Sequence, residues 1–147
     1  MAIEYRHTQF GYALIATIVA AVCVLLAVAM FSSDGSRAGV LAAIALAVIM
    51  WLFSSLTVEV SGGELSVRFG RGLIGKRIPL ADIRSVRAVR NKWYFGWGIR
   101  FFPGGVLYNI GGLSAVEIEL KSGKLYRIGT DEPEKLEQVL IQASGIG

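Results

Sequence analysis

The segment Arg90-Asn91-Lys92-Trp93-Tyr94-Phe95-Gly96-Trp97-Gly98-Ile99-Arg100 interleaves cations with aromatic rings. Trp and Tyr suit a membrane–water interface, and Lys or Arg beside them suits anionic lipid or an acidic partner. The same residue types can stack on nucleic acid. Core packing is the competing use, because glycines on both sides of Trp97 predict a tight bend that tucks at least one indole inside. Arg90, Lys92, Trp93, Trp97 and Arg100 are the candidate membrane or partner surface, with packing the open alternative. Nucleic acid is not the expected partner.

Other groupings carry less chemistry. Gly70-Arg71-Gly72-Leu73-Ile74-Gly75 matches G-x-G-x-x-G. A dinucleotide site needs that motif between a strand and a helix, and Lys76-Arg77-Ile78-Pro79 does not start a helix, so a hairpin loop is expected. His7 is the only histidine, and the single cysteine, Cys23, lies inside an apolar run. There is no disulfide framework, no metal-ligand spacing and no nucleophile elbow. Glu117 and Glu119 share one face of a strand, which alternation explains as the solvated side of a hairpin. The expectation is a non-enzymatic protein with no catalytic residue, cofactor, metal or identified small-molecule substrate.

The elements that must position these residues begin with two uncharged runs, Phe10 to Phe31 and Ala38 to Leu56. A membrane span needs roughly 20 apolar residues at about 1.5 Å each. Both runs read as apolar all round, and the first is too long for the core of a signal peptide. The expectation is a two-helix transmembrane hairpin (about 10–31 and 38–56) with the polar break Ser32 to Arg37 between. Thirteen of the fifteen Lys and Arg residues lie from Arg68 to Lys135. The positive-inside rule then places both termini in the cytoplasm, giving a multi-pass protein of the bacterial cytoplasmic (inner) membrane. Residues 57–100 carry nine Lys/Arg against three Asp/Glu, whereas residues 101–147 carry four against six. The basic half adjoins the membrane, where anionic headgroups attract each cation by about 1 kcal/mol. A solvated charged face is the alternative.

From Thr57 onward, short alternating runs separated by glycine turns predict a small antiparallel β barrel or sandwich. Pro79 favours a strand end or an edge. Residues 83–91 have mixed periodicity and read as a turn followed by a strand. Val116, Ile118 and Leu120 alternate with Glu117 and Glu119. A three-residue loop, Lys121 to Gly123, pairs 118 with 126 and 117 with 127 and puts Gly123 at the left-handed position. Asp131 to Glu134 reads as a capping box opening a helix over about 131–143, whose face Leu136, Val139, Leu140 and Ala143 would lid one end of the barrel.

The stretch Ile78-Pro79-Leu80-Ala81-Asp82-Ile83-Arg84-Ser85-Val86 resembles the I-P-L-x-x-I-x-x-V segment of bacterial pleckstrin-homology-like (PH-like) domains. Tyr94 to Arg100, Leu107-Tyr108-Asn109, Ala115 to Ile118 and Arg127 to Pro133 are similar to small bacterial membrane proteins that carry that domain. The resemblance covers residues 57–147. It implies a PH-like barrel of about seven antiparallel strands capped by one C-terminal α-helix, no enzyme activity, and no transferable headgroup residue. The combined expectation is residues 1–56 as flank and membrane helices and residues 57–147 as a cytoplasmic PH-like domain. The function expected is that of a membrane-anchored binding or scaffold module at the inner leaflet. Its partners would be membrane lipids, another protein or a second copy of itself, since Ala38, Gly39, Ala42 and Ala43 permit close helix packing. An accessory subunit of a larger membrane transporter or enzyme complex is the alternative.

Overall fold

Leu56, Val58 and Val60 alternate along one strand, as do Leu65, Val67 and Phe69 along the next, and each set needs an apolar partner face. In a computed structural model, which describes residues 4–33 and 37–146, those faces meet in a two-sheet core. Strands β1 (Tyr5–Phe10), β2 (Ser55–Ser61), β3 (Glu64–Phe69) and β4 (Ile74–Pro79) form an antiparallel sheet in the order β1-β2-β3-β4. Strands β5 (Ile83–Arg90), β6 (Gly98–Phe102), β7 (Gly105–Asn109), β8 (Ser114–Leu120) and β9 (Leu125–Gly129) form the second, in the order β5-β8-β9-β7-β6. Helix α3 (Pro133–Ser144) packs on β5 and β8, burying Leu136 and Leu140. Phe69 links the layers: its ring lies 5.0 Å from Phe53 and 6.1 Å from Tyr108, centroid to centroid.

Helices α1 (Tyr12–Phe31) and α2 (Arg37–Phe53) lie between β1 and β2 and pack on each other. β1 runs antiparallel to β2 from Tyr5↔Val60 to Phe10↔Ser55, and the Gly11 N–H donates to Ser54 O at 2.9 Å. The helical pair is thus an insertion at the tip of a β-hairpin, leaving and rejoining the first sheet at adjacent residues.

Two expectations need correction. The closed PH-like barrel of about seven antiparallel strands is replaced by two open sheets with nine strands among the described residues, and β7 and β9 pair in parallel. The flank before the first helix forms β1, whose first residue, Tyr5, belongs to the core. The multi-pass inner-membrane reading also fails: among the described residues only α1 is long and apolar enough to cross a bilayer. The physical reason is local. Ser55 and Leu56, counted above as the end of the second apolar run, are the first residues of β2, which leaves α2 with 17 residues starting at Arg37. Asp34, Gly35 and Ser36 of the polar break lie outside the described residues.

Smaller features divide. Ile118 pairs with Tyr126 and Glu117 with Arg127, as the three-residue loop requires, with Gly123 at φ +92°. Pro79 ends the edge strand β4, and Gly70 to Leu73 form a hairpin turn. The capping box does not form. Pro133 starts α3, Glu132 is the cap residue without a side-chain bond, and Asp131 reaches His7 Nε2 at 2.6 Å instead. Proline suits the first helical position because its fixed φ is helical and its missing N–H has no partner there anyway.

The β3–β4 turn is clamped against the end of α2. The Gly70 N–H donates to Ser55 O, and a Cβ at Gly70 would sit 2.6 Å from Leu52 O with φ at +53°. Gly70→Ala is therefore expected to cost about 1–3 kcal/mol from backbone strain, with the clash in addition. Gly62→Ala also has positive φ but meets open space. Thermal unfolding of the two variants in mild detergent should separate them, Gly70→Ala melting clearly lower.

Candidate functional site

Glu117 sits at the middle of β8, between β5 and β9. It is 6% exposed, so the solvated-face expectation fails for this carboxylate. Arg87 donates to Oε1 through Nε at 3.1 Å and Nη2 at 2.7 Å. Arg127 donates to Oε2 through Nε at 2.8 Å, and its guanidinium lies 4.8 Å from the Phe102 ring centroid. Burial pushes the Glu117 carboxyl up. The hydrogen bonds from Arg127 and Arg87 and their charges outweigh burial and hold it below the ordinary carboxylate range.

Arg127 extends this network to Asn91, donating through Nη1 to Oδ1 at 3.4 Å. Asn91 follows the last residue of β5 and is 4% exposed, with its backbone N–H donating to Leu113 O at 2.6 Å. Its Nδ2 is the one buried side-chain polar atom without a partner among the described residues. Asn109, at the end of β7, holds the facing loops. Its Nδ2 donates to Gly96 O at 3.1 Å and Gly112 O at 3.4 Å, and its Oδ1 accepts from the Gly111 N–H at 3.2 Å.

These two asparagines border a cavity of about 340 Å³ together with Lys92, Trp93, Trp97 and Leu113. Three of the five candidate surface residues therefore meet in one place. The other two do not line it: Arg90 is exposed at the end of β5, and Arg100 donates through Nε to Trp97 O at 2.9 Å. Trp97 is half-buried, as the glycine bend predicts, whereas Trp93 is 81% exposed. The Lys92 ammonium lies 5.7 Å from the centroid of Tyr94, itself an exposed ring.

A larger cavity of about 630 Å³ lies where β1 becomes α1, bordered by Gln9 to Ala13, Ile110 to Ser114 and Thr130-Asp131. Gly112 and Leu113 form walls of both cavities, so the aromatic loop stands beside the root of α1. β1 is tied down here by its side chains: Tyr5 donates to Glu132 at 2.9 Å and Gln9 donates to Gly129 O at 2.6 Å. Burial, then the bond to Glu132 and its charge, push the Tyr5 hydroxyl above the ordinary tyrosine range.

The Arg127–Glu117 pair could be read from the β8–β9 hairpin register. Arg87 could not, because β5 meets β8 across 30 residues of chain, and Asn109 carried no local signal. Among the described residues no three His, Cys, Asp or Glu side chains cluster as metal ligands.

No family model matches this chain, and no curated protein matches it either. Fold and site together define a mostly β-sheet protein with one exposed apolar helix of membrane-span length near its N-terminus.

Proposed function

We propose that this protein is a non-enzymatic binding module anchored in a lipid bilayer, acting through contacts that its β domain makes at the membrane surface. The observation that carries this reading is the bare apolar surface of the helical insertion. Val24 is 62% exposed, Met30 82% and Phe31 89%, and Leu41, Ile44 and Val48 of α2 are exposed as well. Soluble monomers rarely expose contiguous apolar patches beyond a few hundred Å². Acyl chains would cover this surface without requiring any polar partner, since α1 has no charged residue and its Thr17 hydroxyl donates to Ala13 O at 2.8 Å.

The short return from helix to sheet supports action at the surface. Ser54 alone separates α2 from β2, and Gly11 alone separates β1 from α1. The domain therefore has no tether along which to leave the bilayer. Arg71 stands over the Trp51 ring at 5.8 Å near the end of α2, a pairing suited to the headgroup zone.

Fractionation of the full chain tests this. The protein should sediment with membranes, resist high salt and alkaline carbonate, and dissolve in detergent. Val24→Lys, in the middle of α1, adds a cost of about 2.5–3.5 kcal/mol at the bilayer centre and should shift protein out of the membrane fraction. A full chain that stays monomeric and folded in detergent-free buffer would overturn the reading.

A further inference from the structure

We propose that His7 makes the attachment of β1 to the rest of the domain sensitive to pH, and that β1 passes this on to helix α1. Tyr5, His7 and Gln9 alternate along β1 and so share one face. All three reach the connection between β9 and α3. Tyr5 donates to Glu132 Oε2 at 2.9 Å, His7 Nε2 meets Asp131 Oδ1 at 2.6 Å, and Gln9 donates to Gly129 O at 2.6 Å. β1 and β9 belong to different sheets. Side chains rather than a backbone ladder hold this seam, so it can loosen without unpairing β1 from β2.

One of these three contacts involves a group whose charge changes near neutrality, since imidazole gains or loses its proton between about pH 5 and 8. A protonated His7 faces two carboxylates, with Nδ1 3.8 Å from Glu132 Oε2 in addition to the Asp131 contact. Lys135, on the first turn of α3, lies 3.9 Å from Glu132 Oε1 and balances part of that charge. Glu134, in the same turn, adds to the negative side. Tyr5, whose ring centroid is 6.4 Å from that of His7, keeps its proton across this range. On β2, His7 lies opposite the apolar Val58, and Arg6, paired with Glu59, falls on the other face of the strands. The carboxylates outnumber the cation, so the seam is tightest with His7 protonated. Its ion pairs are complete at the acidic end of the window and are lost as pH rises and the ring gives up its proton. A neutral ring still donates from Nε2 to Asp131, and the bonds of Tyr5 and Gln9 stay, so the seam loosens without coming apart.

Position gives the loosening a consequence. Gly11 alone separates β1 from α1. The cavity of about 630 Å³ at the root of α1 is lined by Thr8 and Gln9 from β1 and by Thr130 and Asp131 from the facing connection. There is room beside the seam for the two to move apart. α1 is thereby fastened firmly to the β9–α3 side in acid and more loosely in alkali. The inference stands on the fold and does not need the membrane reading.

The test is amide hydrogen exchange of the full chain in neutral detergent, read by mass spectrometry at about pH 5.5 and about pH 8 and corrected for intrinsic exchange. Protection of β1 should fall by about threefold toward the higher pH, the scale of a partly exposed ion pair, while β3 holds its protection. His7→Gln keeps a hydrogen-bonding side chain without a titrating charge and should remove the pH dependence. Asp131→Asn, at a carboxylate 63% exposed, should reduce it by about half. Flat protection of β1 in the native chain would overturn the proposal. So would an equal fall in the native chain and both variants, or a parallel fall in β3, which marks a change of the whole domain. A variant that fails to fold shows itself by lost protection in β3, and the other variant then carries the comparison. A chain soluble without detergent gives the same comparison in buffer, so failure of the membrane reading is distinguished from failure of this one.

Discussion

Glu117→Ala should lower the stability of the domain by about 3 kcal/mol, the low end of the range for breaking a buried ion pair. The low end applies because the Arg87 side chain is 70% exposed and water screens its loss of partner. Arg127, at 20% exposed, cannot recover as easily, since its guanidinium is held under Phe102 and against Asn91. Two guanidinium groups would then face each other across the centre of the second sheet without the carboxylate between them. At roughly 3 °C per kcal/mol for a chain of this size, thermal unfolding should occur about 10 °C earlier. Loss of less than 2 °C would mean that the pair contributes little beyond its desolvation cost.

The same residue sets a pH dependence. The folded Glu117 carboxyl lies below the ordinary range, so the unfolded state takes up its proton first as pH falls. Its stabilising contribution is complete above the ordinary glutamate value, about 4.3. It is lost as pH drops from there through the lowered folded value. Melting curves between pH 7 and pH 3 should fall more steeply below about pH 4.5 in the native chain than in Glu117→Gln.

Phe69→Ala should be the most damaging apolar truncation, at about 3–5 kcal/mol. Phe69 is 1% exposed and stands at a three-way junction. It contacts Phe53 at the end of α2 and Tyr108 of the second sheet, and it pairs with Leu56 across the first sheet. Removing the ring opens a cavity that none of these elements can fill alone, because each is fixed by its own backbone ladder. Leu73→Ala, in the adjoining turn at an exposed side chain, should stay within about 0.5 kcal/mol of the native chain. Denaturant titration in mild detergent compares the two. Equal midpoints would remove Phe69 from its role as the link between helices and sheets.

Legibility followed the range of the interaction. The β8–β9 register could be read because only one loop length matches apolar with apolar and Glu117 with Arg127. The apolar face of α3 was legible from the spacing of Leu136 and Leu140, which the core buries. The cap of α3 was misread because two acidic residues precede Pro133, and distant His7 competes for Asp131. Glu119 and Glu117 look alike in sequence, yet only Glu117 is enclosed by arginines from both neighbouring strands. The candidate surface was legible as a cluster of residue types, while its partition into Lys92, Trp93 and Trp97 at a cavity and Arg90 and Arg100 outside it was not.

By itself the sequence determined the local events: a long uncharged first helix, alternating strands broken by glycine turns, one tight hairpin and a terminal amphipathic helix. Each is encoded within a few residues, where side-chain period and turn chemistry leave few choices. Tertiary structure alone decided which strands distant in the chain became neighbours. It recruited Tyr5–Phe10 as an edge strand, took Ser55 and Leu56 from the second apolar run into β2, and laid β9 parallel to β7. Those outcomes depend on pairings across tens of residues. Backbone hydrogen bonding there is indifferent to side-chain type, and only the shared core selects the arrangement. The orphan amide of Asn91 is a product of that selection, since its oxygen is held by an arginine 36 residues away.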